Sequence, residues 1–547
     1  MPSTKKLLSI TNLKKYFPVA KSSIFQRQQY YVRANEEINL DIHEGETFGL
    51  VGESGCGKST LGRVILQLYD QTAGTTMYYG RSRASIAPKY VAETLRHAAK
   101  YRERLRKCEE KAKKLTEKCD ALGDSADFFT IQEKNLAVAE AQTALAHAVK
   151  ILGGFLAVDT TRGAELLLVR ARLEEKAAAI GAKIQDLTTL ADALEDDGSS
   201  EDCSPEKQQK RERKRAAILE KRDALTKEGE QISQKIAEAD KVIAAAKEPY
   251  LADPEFMKYE EMLDDGIDLT RLKYSEMRLL RRDLQIIFQD PYSSLNPRMT
   301  VGQIIEEGLV THKFFRHGSP KMKEYILEIM HKCGLQDYML HRYPHQFSGG
   351  QRQRICIARA LAVKPQFVVC DECVSALDVS IQSQIINLLQ ELKEKEHLTY
   401  LFISHDLSVV RYISDRIGVM YLGNLVEVAE ADTIFRDPRH PYTVALLSSI
   451  PTTDPDSLTK ERIILEGNIP SPIQPPSGCK FHTRCFMACE KCKNVPPPLV
   501  EIEEGHFVAC HFPERKLDDE GKFLFEVKTT TAQASKREDT PEDATGE

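Results

Sequence analysis

The feature that most constrains this chain is a glycine-rich stretch, GESGCGKS, which runs from Gly52 to Ser59. A short apolar run (47–51) precedes it, and residues 59–68 follow with the spacing of a helix. A strand, a glycine turn and a helix in this order direct backbone N–H groups toward an anion at the helix N-terminus. In the pattern G-x-x-x-x-G-K-[ST], the lysine reaches the outer phosphates of a nucleotide and the hydroxyl ligates Mg²⁺. The residues predicted to bind the nucleotide here are Gly52, Ser54, Gly55, Cys56, Gly57, Lys58, Ser59 and Thr60.

The overall composition excludes several classes of protein. A chain of 547 residues is too long for one core, so roughly two to four domains are expected. The net charge of −6 gives no global electrostatic reason to bind nucleic acid. No apolar run is long enough to span a bilayer, and the first residues, MPSTKKLLSI, lack the apolar region of a signal peptide. The chain is therefore predicted to be cytosolic, with its 13 cysteines present as reduced thiols or metal ligands.

A helical segment interrupts the α/β sequence near Arg81. Residues 91–246 are rich in Ala, Glu, Lys, Arg and Leu. Small apolar residues between Val91 and Leu122 recur in steps of three and four, which is the seam of packed helices. A second set repeats every seven residues: Ile218, Leu225, Ile232, Ala239 and Ala246. The spacing predicts about four helices in a bundle or antiparallel coiled coil, and both a purely structural bundle and a docking surface for a partner fit this pattern.

Two further motifs follow the helical segment. The apolar run in FVVCDE (367–372) ends in Asp371 and Glu372. Because a buried strand that ends in two carboxylates is typical of nucleotide hydrolases, Asp371 is predicted to hold Mg²⁺ and Glu372 to polarise an attacking water. Upstream, FSGGQ (347–351) precedes a predicted helix, so Ser348 and the two glycines are predicted to form a second anion-binding nest.

These motifs occur in a recognisable order along the chain. The phosphate loop is followed by Gln289, FSGGQ, VVCDE and ISHD (403–406), and this order resembles the ATP-binding subunit of an ABC transporter. The resemblance implies an α/β fold with a RecA-like core, an antiparallel β subdomain and a helical signature subdomain. It also implies ATP and Mg²⁺ as ligands, with each ATP shared between the phosphate loop of one subunit and the signature of another.

The resemblance assigns a role to each motif residue. The implied catalytic residues are Glu372, His405, Lys58 and Gln289. The implied Mg²⁺ site consists of Ser59, Gln289 and Asp371. The implied contacts to ATP outside the phosphate loop are Phe17 on the adenine (with Tyr16 as the neighbouring candidate), Gln289, Asp371, and, across the dimer interface, Ser348, Gly349, Gly350, Gln351 and Asp378. Cys373 stands where the family usually has proline, and we expect activity to survive this change because proline there shapes backbone rather than chemistry.

Longer stretches narrow the resemblance to one branch of the family. FQDPYSSLNPR (288–298), VSALDVSIQ (374–382), HPYT (440–443) and GCKFHTRC (478–485) are similar to the ATPases of dipeptide and oligopeptide importers. These stretches are more similar to the second of the two ATPases in such importers, the F-type subunit. This implies a heterodimer with a D-type chain, two membrane permease subunits and an extracytoplasmic solute-binding protein. The implied location is the cytoplasmic face of the plasma membrane, and no nucleic-acid partner is expected.

The tail holds a cluster of soft ligands. Cys479, Cys485, Cys492 and Cys510 lie in a short, proline-bounded stretch. Four thiolates suit either zinc or an iron–sulfur cluster. The resemblance to the importer ATPases favours a [4Fe–4S] cluster, with Zn²⁺ as the alternative and Cys489 as a spare thiol or substitute ligand.

Two other functions compete with solute import. A coiled coil that splits an ABC head also occurs in ATPases of DNA repair and chromosome maintenance. Here, however, the insertion precedes Gln289, and the importer-type tail has no purpose on a DNA protein. Soluble regulatory or ribosome-acting ABC proteins generally carry two cassettes, whereas this chain has a single set of motifs.

The sequence predicts five segments. They are a first part of the nucleotide-binding domain (1–80), an inserted helical bundle or coiled coil (81–265), a second part of the nucleotide-binding domain (266–450), a Cys-rich extension (451–517) and a polar, mostly disordered tail (518–547).

Overall fold

The computed structural model describes residues 5–21, 29–123, 128–196, 205–449, 463–465 and 467–513. Its strands are β1 (Lys6–Pro18), β2 (Tyr31–His43), β3 (Thr47–Val51), β4 (Ala73–Tyr78), β5 (Ile267–Asp268), β6 (Leu284–Ile287), β7 (Phe367–Asp371), β8 (Thr399–Ile403), β9 (Arg416–Tyr421), β10 (Asn424–Glu430), β11 (Val500–Glu503) and β12 (His506–Val508).

The first eight helices cover the phosphate-loop helix and the insertion. They are α1 (Lys58–Ile65), α2 (Arg83–Ile86), α3 (Lys89–Arg96), α4 (Ala98–Leu122), α5 (Phe128–Leu152), α6 (Thr160–Asp196), α7 (Pro205–Lys247) and α8 (Pro254–Glu260). The later helices are α9 (Tyr274–Leu280), α10 (Pro291–Ser294), α11 (Val301–Thr311), α12 (Pro320–Lys332), α13 (Gly349–Ala362), α14 (Val379–Glu396), α15 (Leu407–Ile413), α16 (Ala431–Arg436), α17 (Pro441–Ser448) and α18 (Glu490–Asn494). Short 3₁₀ turns lie at Gly153–Leu156, Glu248–Tyr250, Leu269–Arg271, Asp337–Met339 and Pro344–Gln346.

The centre of the molecule is an eight-stranded sheet in the order β11-β12-β10-β9-β3-β8-β7-β6. Strands β9, β3, β8, β7 and β6 pair in parallel, and β10, β12 and β11 continue antiparallel at one edge. Every residue of β3, β7 and β8 is buried. Such continuous apolar strands are expected where helices cover both faces of a parallel sheet. The carboxyl ends of these strands therefore form one edge, on which the phosphate loop and VVCDE both lie.

A second, antiparallel sheet has the order β2-β1-β4-β5, and α11, α12 and α13 pack together as a helical unit beyond β6. The three predicted parts of the ABC fold (RecA-like core, antiparallel β subdomain and helical signature subdomain) are thus confirmed.

The insertion leaves the antiparallel sheet after β4 and returns to it at β5. These two strands pair directly, with Met77 opposite Asp268 and Tyr78 opposite Ile267. The two ends of the insertion are therefore neighbours in one sheet, so a long helical segment adds to the domain without separating β4 from its partner. The predicted borders of the segments stay predictions, and the tail at 518–547 lies outside the described residues.

Inside the insertion, four long helices form two antiparallel pairs. In the first pair, Lys111 of α4 bridges to Glu140 of α5 at 3.3 Å. In the second pair, Arg170 of α6 bridges to Asp240 of α7 at 2.6 Å. The inserted helical bundle is therefore confirmed. The predicted seam is largely buried, as at Leu105, Cys108 and Cys119, although Leu122 is 41% exposed and the run breaks at His97 between α3 and α4. Residues 124–127, between α4 and α5, and residues 197–204, between α6 and α7, lie outside the described residues.

No single helix among the described residues is long and apolar enough to cross a membrane. Residues 129–156 and 160–194 meet that length and composition only as a pair, and this pair is bent by 106°.

The C-terminal extension joins the central sheet through β12, which pairs with β10. Glu427 on β10 is fully buried at this junction. Its carboxylate accepts hydrogen bonds from the backbone N–H groups of Arg439 (2.6 Å) and His440 (2.9 Å) and lies 2.9 Å from Nε2 of His506 on β12. Although burial alone would raise the pKa of Glu427, these hydrogen bonds, led by that of His506, lower it. One buried carboxylate thus connects the sheet, the segment before α17 and the extension.

We predict that Glu427→Gln lowers the free energy of unfolding by about 3 kcal/mol, because it leaves buried donors without their charged acceptor. Urea denaturation monitored by circular dichroism measures this change. Glu504→Gln is the matched control, because Glu504 is exposed at the β11–β12 turn of the same extension. Equal stability of the two variants would contradict the prediction.

Candidate nucleotide site

A cavity of about 350 Å³ opens at the carboxyl edge of β3. The cavity is lined by the phosphate loop and by residues of both sheets. Gln289, Glu372 and one residue of the C-terminal extension complete its wall. Its lining residues are Phe17, Val32, Arg33, Ala34, Ser54, Gly55, Cys56, Gly57, Lys58, Ser59, Thr60, Gln289, Glu372, Leu422, Gly423 and Pro472.

The phosphate loop depends on two glycines with little room around them. Gly57 has φ of 103°, and a Cβ at this position would lie 2.1 Å from the carbonyl oxygen of Ala34. Gly52 has φ of 149°, and its Cβ would lie 2.2 Å from the carbonyl oxygen of Met420. Glycine is needed at both positions because no side chain fits between the loop and the strands behind it. The loop leads directly into α1, whose N-terminus has no side-chain cap and so leaves N–H groups for an anion.

Lys58 is held within the loop. Its side chain is buried, and Nζ donates hydrogen bonds to the carbonyl oxygens of Gly52 (2.8 Å) and Glu53 (3.1 Å). The ammonium group is therefore held beside the cavity by the loop's own carbonyl groups, where the charge can neutralise phosphate oxygens.

Ser59, which lines the cavity, meets Asp371 although the two residues are 312 residues apart in the chain. Ser59 Oγ donates to Asp371 Oδ1 at 2.5 Å, and Nη2 of Arg63 lies 3.3 Å from the other carboxylate oxygen. A hydroxyl and a carboxylate next to a phosphate site are the hard oxygen donors that Mg²⁺ prefers. The residues present therefore fit the Mg²⁺ ion that the fold family implies.

Glu372 lies between two of the other predicted catalytic side chains, Gln289 and His405. Gln289 Nε2 donates to Glu372 Oε2 at 2.8 Å, and His405 Nδ1 lies 3.7 Å from Glu372 Oε1. Glu372 has φ of 48°, a left-handed conformation that is uncommon for a residue with a side chain. Strained backbone of this kind often marks a functional position. The three side chains can together orient a small polar molecule beside the phosphate loop.

The aromatic candidate for adenine is Phe17. Its ring lines the cavity and packs edge-on against Tyr69, with 5.6 Å between ring centroids. Tyr16 points the other way: it is buried, its hydroxyl donates to Glu36, and burial raises its pKa. The alternation of side chains along β1 explains why one of two neighbouring aromatic residues faces the cavity.

The signature residues do not join this cavity. Ser348 caps α13, accepting from Gln351 N–H at 3.3 Å, while its own N–H donates to Gln351 Oε1 at 3.2 Å. Ser348, Gly349 and Asp378 are exposed, with Gly350 and Gln351 partly so. The chain thus presents its signature on the surface, at a distance from its own phosphate loop.

Sequence reasoning missed several residues of the cavity wall. Val32, Arg33 and Ala34 belong to β2, and their sequence carries no phosphate-binding pattern. Gly423 lies in the β9–β10 turn and Pro472 in the C-terminal extension. These last two reach the cavity only through the tertiary fold, so no local signal marks them.

The relatives of the chain are ATP-binding proteins of peptide transport. One relative is "Putative oligopeptide transport ATP-binding protein YkfD" from Bacillus subtilis, with 54% identity over 247 aligned residues. These residues cover 45% of this chain and 75% of the relative. A second relative, "Oligopeptide transport ATP-binding protein AppF" from the same organism, is 51% identical, and the alignment covers 46% of this chain and 76% of the relative. A third relative, "Putative peptide import ATP-binding protein BOV_A0347" from Brucella ovis, is 52% identical, and the alignment covers 46% of this chain and 78% of the relative. A role in DNA repair or chromosome maintenance finds no support among them.

The iron–sulfur cluster predicted at Cys479, Cys485, Cys492 and Cys510 is wrong. These cysteines form no disulfide among the described residues, and no group of three or more His, Cys, Asp or Glu side chains is placed to hold a metal ion within the described ranges. Burial raises the pKa of Cys479 to about 11 and that of Cys485 to about 12. None of the relatives' names points to a cluster, and the alternative of Zn²⁺ is equally unsupported.

We predict that Gly57→Ala lowers nucleotide affinity by about 100-fold, because the added Cβ must displace the loop from Ala34 and so moves Lys58. Gly55→Ala is the matched control. Gly55 also has positive φ, of 79°, but nothing lies within 4 Å of the added Cβ. Its affinity should fall by at most about tenfold, from backbone strain alone. Fluorescence titration with a nucleotide analogue compares the two, and an equal loss in both would contradict the steric explanation.

Two family models match the chain. The model described as "ABC transporter" matches residues 35–155 and 252–375, on both sides of an unmatched part of the insertion. The model described as "Oligopeptide/dipeptide transporter, C-terminal region" matches residues 426–492. With the phosphate loop, the acidic strand and the cavity between them, these matches show that the chain belongs to the ATP-binding, ATP-hydrolysing subunits of ABC transporters and carries the C-terminal region of the oligopeptide branch.

Proposed function

We propose that this chain hydrolyses ATP to power the import of dipeptides or oligopeptides through a separate membrane permease. The observation that carries the proposal is the cavity in which the phosphate loop faces Glu372 and Gln289, together with the importer-type C-terminal region. The peptide cargo comes from the relatives, whose names specify oligopeptide transport and peptide import.

In this proposal the phosphate loop and Lys58 bind the phosphates of ATP. Ser59, Asp371 and Gln289 would hold Mg²⁺, which would supply positive charge to the phosphate oxygens. Phe17, near the end of β1, stacks on the adenine. Each of these side chains lies in the cavity or beside it, so one ATP can contact all of them.

Glu372 is the proposed general base. Its carboxylate can accept a hydrogen bond from the water that attacks the γ-phosphate. Gln289 and His405 flank the carboxylate and orient this water, and His405, which is exposed, can reach the γ-phosphate. In-line attack then depends mainly on positioning and on the positive charge of Lys58, as in other phosphoryl transfers.

The proposed active unit is a dimer. Because Ser348, Gly349, Gly350, Gln351 and Asp378 lie outside the chain's own cavity, they are available to the ATP of an opposite subunit. We propose that this subunit is a related D-type ATPase, as in the importers that the sequence resembles. ATP then joins the two subunits, and hydrolysis lets them separate.

The dimer would act on two permease subunits supplied by an extracytoplasmic solute-binding protein. The segment from Gln289 to Glu307 runs from the catalytic carboxylate to α11 of the helical unit, so it is the proposed route from ATP closure to the permease. The chain would accordingly lie at the cytoplasmic face of the plasma membrane. Co-purification of permease subunits, rather than stimulation of the ATPase by DNA, is the expected behaviour.

We predict that Glu372→Gln retains ATP binding but lowers kcat by about 100-fold or more, because the general base is lost while the phosphate contacts remain. Phosphate release by the assembled transporter measures this effect. Glu394→Gln is the matched control, since Glu394 is an exposed carboxylate of α14. Wild-type turnover in Glu372→Gln would refute the assignment of the base.

We also predict that the Glu372→Gln chain forms an ATP-bound dimer with the D-type subunit but not with itself. Slow hydrolysis should trap the closed state, which size-exclusion chromatography with ATP and Mg²⁺ detects as a doubled mass. A stable dimer of this chain alone would show that the unit is a homodimer instead.

A further inference from the structure

The C-terminal extension contacts the phosphate loop directly. Arg484 Nη1 donates to Glu53 Oε2 at 2.9 Å, and Nη2 donates to Oε1 at 3.1 Å. Glu53 is the second residue of GESGCGKS and lies 431 residues before Arg484. The Arg484 side chain is 7% exposed and the Glu53 side chain is 23% exposed. A two-pronged, largely buried pair of this kind fixes the orientation of a carboxylate far better than a surface ion pair does.

Glu53 in turn connects to Lys58. Its carbonyl oxygen accepts a hydrogen bond from Lys58 Nζ at 3.1 Å, and its N–H donates to the Tyr442 hydroxyl at 2.9 Å. The peptide groups on both sides of Glu53 are thus engaged while its carboxylate is held by Arg484. A rotation of Glu53 would move the carbonyl oxygen that accepts a hydrogen bond from Lys58.

The segment that carries Arg484 is itself firmly packed. Phe481 is 1% exposed and lies in an aromatic cluster with Tyr421 and Tyr442, at centroid distances of 5.1 and 5.4 Å. The N–H of Arg484 donates to the Phe481 carbonyl oxygen at 3.0 Å. Arg484 therefore extends toward the loop from a fixed base.

The same extension also meets the part of the cavity wall that β2 forms. Pro472 lines the cavity, and its carbonyl oxygen accepts a hydrogen bond from the Arg33 N–H at 3.1 Å. Lys480 Nζ donates to Leu422 O at 3.3 Å, next to Gly423 of the cavity lining. Two walls of the cavity and its phosphate loop are in contact with one C-terminal segment.

We propose that Arg484 is a positioning residue for ATP: through Glu53 it holds the phosphate loop and Lys58 in the conformation that binds phosphate. This rests on the proposed role of the loop in binding ATP. A loop held in its binding conformation before ATP arrives loses less entropy on binding, so the contact acts on ATP affinity more than on the chemical step.

The test compares ATP hydrolysis by the complete assembled transporter carrying wild-type chain, Arg484→Gln, Glu53→Gln or both changes. Each single variant should raise the KM for ATP on the order of tenfold while kcat stays within about twofold. The double variant should match the singles, because both changes remove the same contact. Arg484→Lys should recover part of the loss, since lysine keeps the charge without the fork.

Glu503→Gln serves as the matched control. Glu503 pairs with Arg439 at 3.0 Å and so also links the extension to the core, at residues that do not line the cavity. This variant should keep the wild-type KM. If Arg484→Gln impairs folding, Glu53→Gln removes the contact from the loop side and leaves the extension intact.

Three outcomes would overturn the proposal: an unchanged KM in both single variants, additive effects in the double variant, or an equal rise in KM for Glu503→Gln. In each of these the wild-type chain still hydrolyses ATP, so the proposed function stands. A wild-type transporter that neither binds nor hydrolyses ATP would refute the proposed function and the positioning role with it.

Discussion

The parallel pairing of β3 with its neighbours is the constraint on which the rest of the structure depends. β3 lies between β8 and β9, and β7 lies beside β8, all with buried residues and in parallel register. Because parallel strands end at the same edge of a sheet, this pairing brings the phosphate loop, the acidic pair and His405 together from widely separated parts of the chain. The contact between Ser59 and Asp371 is possible only at this edge. Helices on both faces of the sheet are in turn required to bury its continuous apolar strands.

The insertion is compatible with this constraint because it begins and ends outside the parallel sheet. Its two ends meet in the β4–β5 pair of the antiparallel sheet. The helices then return to the domain through polar contacts, including Gly74 N–H to Thr143 Oγ1 at 3.0 Å and Lys313 Nζ to Asp186 Oδ1 at 2.9 Å. The phosphate loop and α1 lie between β3 and β4, before the insertion begins, so the insertion does not interrupt them.

The sequence was sufficient to predict those parts of the site that depend on a local pattern of residues. The loop from Gly52 to Ser59, the pair Asp371 and Glu372, and the cap formed by Ser348 each occupy a strand end or helix start that their own neighbours predict. The inserted helices could be predicted for the same reason, from the apolar spacing of α4 and α7. Phe17 and Tyr16 were harder to separate, because the facing of β1 is set by its pairing partners rather than by composition.

The rest of the site could not be predicted because it depends on contacts between distant segments. Pro472 and Arg484 belong to a stretch whose cysteines suggest a metal site, whereas this stretch packs on the core through the aromatic cluster of Phe481, Tyr421 and Tyr442. No local pattern indicates that Pro472 of the C-terminal extension lies against β2.

Arg33 contacts both the helical insertion and the C-terminal extension, and these two segments therefore meet at one wall of the nucleotide cavity. Its guanidinium donates to Gln132 of the insertion at 3.3 Å, and its backbone N–H donates to Pro472 of the extension at 3.1 Å. Gln132 and Arg33 are both buried, so this contact is sheltered from water and is correspondingly costly to break. Because Arg33 lines the cavity directly, a shift of either segment changes the wall that the nucleotide meets. The insertion and the extension are therefore parts of the nucleotide site in space, although neither contains a residue that the phosphate-binding pattern identifies.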